Sequence, residues 1–250
     1  MIKQYRSKEW LQNKYINEKL SSRQIAKLCG VAHSVIQYWF KKYNIPIRSY
    51  KESIDLAYKN HCDLSQKAIN WIEGELLGDG CLLSESYRTA NFRYASKYLE
   101  YASYIKDTLK SFGIEGGKIY KRYHKDSNCY SYSYASFRYP ELLPIRKQWY
   151  PEGKKIVPKD IKLTPLVVRQ WYIGDGCLNC SKKHNPYISL ATNGFNAIDI
   201  NWLVEKLNKL KFKAKKHLNN TIYISTYSTK AFIDYIGKSP IRCYDYKFNY

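Results

Sequence analysis

The pentapeptide Gly-Asp-Gly-Cys-Leu stands at residues 78–82 and again, unchanged, at 174–178, 96 residues later. Each copy follows an apolar run at helical spacing: Ala68, Ile69, Ile72, Leu76 and Leu77 before the first, and Leu166 to Ile173 before the second. Each is followed by two segments that alternate in side-chain character, then a helical stretch, then two more such segments. In the first copy the segments are Cys81 to Leu83 and Phe92 to Ala95, a helix over Tyr98 to Phe112, then Lys118 to Tyr123 and Tyr130 to Phe137, closed by a short helix over Pro140 to Trp149. In the second they are Cys177 to Leu178 and Tyr187 to Thr192, a helix over Asn196 to Leu210, then Lys213 to His217 and Ile222 to Thr226, with a closing helix over Thr229 to Gly237. A pattern repeated in register is an internal duplication. The expected fold class is therefore α+β, a duplicated helix–strand–strand–helix–strand–strand–helix core with pseudo-twofold symmetry. Its repeats span 65–150 and 151–250.

The segment ahead of the duplication has a different period. Residues 7 to 43 read as three short helices, with Trp10, Leu11, Tyr15 and Ile16 at helical spacing. Ser21-Ser22 offers an N-cap, Gly30 a left-handed C-cap, and a further helix runs from His33 to Tyr43. Small Ala26, the Gly30 turn, Val31 and Ile36 have the spacing that lets two helices cross tightly, which resembles the helix-turn-helix family. That resemblance sets the second helix in the DNA major groove, presenting Ser34, Gln37, Tyr38, Lys41 and Lys42. Residues 1–60, the small all-α domain and its linker, carry 12 Lys or Arg against 4 Asp or Glu, which favours DNA contact over plain packing.

The whole chain of 250 residues has a formal charge of +21. Such an excess repels itself unless a polyanion lies against it, and nucleic acid is the obvious one. No apolar stretch is long enough to cross a membrane and no signal-peptide core opens the chain, so an intracellular protein is expected. Seven cysteines, an odd number, are expected as reduced thiols. Cys177-x-x-Cys180 with His184 lacks a second pair at zinc-site spacing, so no zinc is expected there.

The chemistry of the duplication sits in its aspartates. An acid in the last turn of a helix faces the negative end of the dipole, and two such acids brought together need a cation or a proton to coexist. Gly74 and Gly78 lie on one helix face and Gly174 on the other, so the two helices can approach closely and bring Asp79 and Asp175 out side by side. Paired carboxylates holding Mg²⁺, with Mn²⁺ able to substitute, suit phosphodiester hydrolysis. The plainer alternative is two helix caps in a duplicated structural domain.

Ile72-Glu-Gly-Glu-Leu-Leu-Gly-Asp-Gly80 and Val168-Arg-Gln-Trp-Tyr-Ile-Gly-Asp-Gly176, with Leu163-Thr-Pro165 and Gly153-Lys-Lys-Ile-Val-Pro158, resemble the paired motifs of single-chain LAGLIDADG homing endonucleases over residues 65 to 250. The resemblance implies a metal-dependent enzyme cutting both strands of a long asymmetric DNA site, beneath two antiparallel sheets that saddle the major groove. It implies Asp79 and Asp175 as metal ligands, with the adjoining Gly78 and Gly174 at ligating positions, and one basic residue per half near the scissile phosphates. Lys155 matches the first, with Lys154 its close rival, and Lys247 matches the second. Gln170 departs from the motif, standing where a small residue is usual; either the helices are spaced apart there or its amide bonds across the interface.

One face of each sheet is expected to meet DNA. The candidates are Arg93, Lys121, Tyr123, Tyr132 and Tyr134 in the first half and Lys182, Lys183, Tyr187, Ser189, Lys213, Lys215 and Tyr223 in the second. The chain opens Met1-Ile2 without a splicing Cys or Ser and ends without a His-Asn pair, so a free-standing monomer is expected rather than an intein. Two other functions stay open on the same fold: a transcriptional regulator without catalysis, and an intron RNA maturase.

Overall fold

The computed structural model describes residues 4–49, 52–53, 60–85, 88–126, 128–181 and 184–250. Lys182 and Lys183 lie outside them, as does much of the expected linker. The chain divides into two compact units, 1–59 and 60–250.

The first unit packs α1 (Lys8–Gln12), which runs into a π-helical turn (Asn13–Asn17), with α2 (Ser22–Cys29) and α3 (His33–Lys42). Ser21 and Gln24 form a reciprocal capping box at the start of α2, satisfying backbone donors that a helix start leaves bare. Gly30 ends it at φ +64°, a left-handed conformation that costs glycine nothing. The chain then turns within three residues into α3, and Leu11, Tyr15, Ile25, Ile36 and Phe40 from all three helices form the core.

The second unit contains α4 (Gln66–Leu77), β1 (Cys81–Leu83), β2 (Asn91–Ser96), α5 (Leu99–Ser111), β3 (Tyr120–His124), β4 (Cys129–Ala135) and α6 (Leu142–Trp149). The same order continues with α7 (Pro165–Asp175), β5 (Gly176–Ser181), β6 (His184–Ala191), α8 (Ala197–Lys209), β7 (Ala214–Lys216), β8 (Thr221–Ile224) and α9 (Thr226–Ile236), before a 3-10 turn over Arg242–Lys247. Both sheets are antiparallel and share one strand arrangement, β1-β2-β4-β3 and β5-β6-β8-β7. One hydrophobic core runs through both halves, from Trp71 and Phe92 to Trp171, Ile188 and Phe232.

Side chains Ser65 and Thr164 cap α4 and α7, and Pro165 occupies the first turn of α7. These two helices pack directly on each other at the middle of that core. β5 and β6 are longer than the sequence suggests, because Asn179 and Ser181 pair with Tyr187 and His184 in a polar stretch that hides the strand period. α9 likewise starts earlier, at Thr226, since Thr229 spends its hydroxyl on the carbonyls of Pro186 and Ser225.

Candidate active site

Glycines set the crossing of α4 and α7. A Cβ added at Gly74 would lie 2.7 Å from the Val167 carbonyl oxygen and 2.8 Å from Gln170 Cβ, so any side chain there would force the helices apart. Nearer the C-termini, a Cβ on Gly174 would be 3.1 Å from both Gly78 Cα and Asp79 N. The two Gly-Asp-Gly segments therefore abut, backbone to backbone, and their aspartates leave the interface at the same end. Asp79 is exposed and Asp175 half-buried.

Gln170 resolves its departure from the motif through hydrogen bonding: its amide donates to Glu75 Oε1 at 3.0 Å across the helix pair. Tyr101 donates to the same oxygen at 2.7 Å. Glu75 is buried one turn before Asp79, and burial pushes its carboxyl up to about 8, so it holds its proton at neutral pH. Tyr94 donates to Asp79 Oδ2 at 3.4 Å and packs its ring 5.2 Å from that of Tyr101. Glu75 and Tyr94 were legible as motif and strand residues and Tyr101 as a helix residue, but their linkage to the aspartates depends on long-range packing.

Two lysines complete the site. Lys155, from the loop between the halves, donates to the carbonyls of Gly78 at 3.2 Å and Gly80 at 3.0 Å. Lys247 is buried and donates to the carbonyls of Ile173 at 2.6 Å and Gly174 at 3.3 Å. Its backbone is pinned by Tyr172, whose hydroxyl donates to the Lys247 carbonyl at 2.5 Å. The neighbouring Lys154 is exposed and has no place in this cluster. Burial lowers both ammonium pKa values, and the nearby negative charges of Asp79 and Asp175 pull them back up. Burial, and then the charge of Asp79, push Asp175 up to about 7, against the opposite pull of Lys155 and Lys247.

Two carboxylates beside backbone carbonyls make an all-oxygen donor set. Mg²⁺ and Mn²⁺ take oxygen ligands, and Mg²⁺ characteristically uses one or two carboxylates and draws the rest from water and phosphate. The residues present fit such an ion in that open manner. Among the described residues no group of three or more His, Cys, Asp or Glu forms a closed metal cage, and no disulfide bond forms.

The sheet registers sort the expected DNA contacts by face. In the second half Ser189 pairs with Tyr223 and Tyr223 with Lys215, while Tyr187 stands opposite Asn179; all lie on the face away from buried Ile188, Leu190, Ile222 and Ile224. Rings of Tyr187 and Tyr223 are 5.0 Å apart, and Lys215 Nζ is 5.2 Å from the Tyr223 ring centroid. Lys213, exposed just outside β7, lies over Tyr227. Asn179, which donates to Ser189 at 2.9 Å, and His217, stacked on Tyr223, belong to the same surface and were missed.

The first half requires a correction. Arg93 shares the open face with Cys81, Ala95, Ser133, Ala135 and Tyr120, around a hollow that reaches Asp79. Tyr134 pairs with buried Tyr94 and is 2% exposed, so it is a core residue and not a DNA contact. Lys121, Tyr123 and Tyr132 share its side of the sheet, with Tyr123 and Lys121 clustered on Tyr130. They are not on the face of Arg93. The physical reason is strand period: a one-residue error in phase moves every side chain to the opposite face. Alternation counted from Arg93 through the pairing would have selected Tyr120, Arg122, Ser131 and Ser133. In the first unit, Ser34, Gln37, Tyr38, Lys41 and Lys42 are exposed on α3.

The profile of the LAGLIDADG DNA endonuclease family matches residues 69–232. The chain belongs to that family. The match takes in both Gly-Asp-Gly segments and every strand of both sheets. Within the curated relatives, an uncharacterized protein of Methanocaldococcus jannaschii is 31% identical over 79% of this chain and 76% of its own length. The cytochrome b mRNA maturase bI2 of Debaryomyces hansenii is 24% identical over 66% of this chain, a match spanning 64% of the maturase. The homing endonuclease I-WcaI bound to its DNA recognition sequence is a solved structure similar in fold, with a TM-score of 0.67 at 20% identity, covering 84% of this chain and 98% of that one. Family membership fixes the fold as mixed helices with two antiparallel sheets.

Proposed function

We propose that this chain is a site-specific double-strand DNA endonuclease that hydrolyses phosphodiester bonds at a long asymmetric target with a divalent metal, Mg²⁺ or Mn²⁺. The observation that carries the reading is the abutment of two Gly-Asp-Gly segments, each with a lysine donating to its glycine carbonyls. Asp79 and Asp175, with the carbonyls of Gly78 and Gly174, would hold the metal, which would neutralise charge on the scissile phosphates and lower the pKa of attacking water. Lys155 and Lys247 place a fixed positive charge at each centre, where charge develops in the transition state. Tyr94 orients Asp79, and the buried Glu75–Gln170 bond fixes the helix pair that carries both acids.

The repeated order of elements supports a pseudo-twofold core in which one aspartate serves each DNA strand. The open faces bearing Arg93, Tyr187, Ser189, Lys215 and Tyr223 would line the major groove. In the first unit α2, Gly30 and α3 would act as a DNA-binding helix-turn-helix. A monomer inside the cell suffices, because one chain supplies both centres. Retention of both aspartates counts against a purely regulatory role. The similarity to a maturase supports intron RNA as a second partner, through the same excess of positive charge.

The test is cleavage of a plasmid carrying the uninterrupted host locus, with and without Mg²⁺ or Mn²⁺. The expected result is metal-dependent linearisation by the wild type, and retained DNA binding without linearisation by Asp79→Asn or Asp175→Asn. Full cutting by either variant sinks the assignment.

A further inference from the structure

The carbonyls that would face a metal already have cationic partners. Lys155 Nζ bridges Gly78 and Gly80, and Lys247 Nζ bridges Ile173 and Gly174. Neither helix terminus satisfies these groups with a left-handed cap of its own: Gly78 stands at φ −97° and Gly176 at φ −86°. Nor are the lysines casually placed. Lys247 is 8% exposed, lies over the Tyr244 ring, and is tethered through its backbone by Tyr172. Lys155 is half-buried, with its ammonium 5.7 Å from the Phe195 ring centroid. Two ammonium groups therefore stand on the carbonyls that adjoin Asp79 and Asp175, close enough for the charges of the two acids to act on them. A divalent ion entering there would stand close to two ammonium groups, and like charges at short range repel even in a well-screened protein environment. Backbone phosphates would remove that penalty.

We infer that Lys155 and Lys247 act as built-in counter-cations of the acid pair, occupying its carbonyls and excluding divalent metal from the free protein, so that metal enters with the phosphates rather than before them. The inference rests on the metal-dependent reading proposed above and deepens it. It makes each lysine a positioning residue with an effect that cutting rates alone would not reveal: removing one should strengthen metal binding.

The experiment titrates the full-length protein, free of DNA, with Mn²⁺ and follows free Mn²⁺ by electron paramagnetic resonance. Lys155→Met is expected to bind Mn²⁺ roughly tenfold or more tightly than wild type, and Lys155→Arg, which keeps the charge, to bind as wild type does. Asp175→Asn in the Lys155→Met background should cancel the gain. Lys155→Gln replaces Lys155→Met should circular dichroism show the latter unfolded. If the folded Lys155 variants bind Mn²⁺ no more tightly than wild type, while Asp175→Asn weakens wild-type binding, the lysines are helix caps alone; the inference is overturned and the metal site stands. If Mn²⁺ binding ignores Asp79 and Asp175 in every variant, the metal reading falls together with the inference.

Discussion

Replacing Lys155 or Lys247 with Met removes one charge beside the acid pair while keeping much of the apolar stem. At saturating Mg²⁺ the cutting rate should fall roughly tenfold to a thousandfold, the scale of losing one electrostatic stabiliser, with far less change in DNA affinity. Lys154→Met, altering an exposed side chain, should cut as wild type does in the same single-turnover assay. Glu75 offers a second test at this scale, read through stability. Its folded pKa of about 8 lies above the ordinary 4.5, so the folded state binds its proton more tightly than the unfolded chain. The stability it contributes is fully present below pH 4.5 and is lost as pH rises through about 8. Glu75→Gln has no such proton to lose. Relative to wild type it should gain stability steadily across that interval in denaturant titrations, and a difference that does not vary with pH would show Glu75 ionised at neutral pH.

Strands carry the proposed binding surface, and their two faces predict opposite phenotypes. Arg93 and Lys215 project from the open faces, so Arg93→Ala and Lys215→Ala should weaken DNA binding, measured by filter binding or anisotropy, while leaving stability within about 0.5 kcal/mol. Tyr134, one residue out of phase with that surface, fills the core against Tyr94 and the helices. Tyr134→Ala should cost about 3 kcal/mol or more in stability. Loss of affinity without loss of stability in Tyr134→Ala would place it on DNA after all. The helices at the centre were easier to read than the strands: Ser65, Thr164 and Pro165 mark their starts, and Gly74 and Gly174 mark the faces that meet. Edge strand β3 is exposed on both faces, so no buried apolar set announces its phase.

Charge acts at the scale of the whole molecule. The first unit holds 12 basic and 4 acidic residues, so removing residues 1–59 takes away a net +8. The second unit has its own core and should fold alone. If the first unit lies against DNA, the truncated protein should bind more weakly, and the slope of log affinity against log salt should become shallower, because fewer counterions are released. An unchanged slope would show that the first unit makes no phosphate contacts.

The sequence by itself determined the duplication, the α+β class, the two caps that launch the central helices, and the pair of aspartates at their ends, because all of these are encoded in local spacing and in residue types with strong backbone preferences. It also narrowed the first-half lysine to Lys154 or Lys155. Only the tertiary structure shows which of the two ammonium groups reaches the Gly78 and Gly80 carbonyls, since that depends on where a loop is carried by the core beneath it. The same holds for Gln170, whose unusual size became legible only when Glu75 of the opposing helix was found within hydrogen-bonding distance. Strand facing was settled by pairing with distant partners, Tyr134 with Tyr94 and Ser189 with Tyr223, and a period-2 pattern carries no phase until one such partner is known.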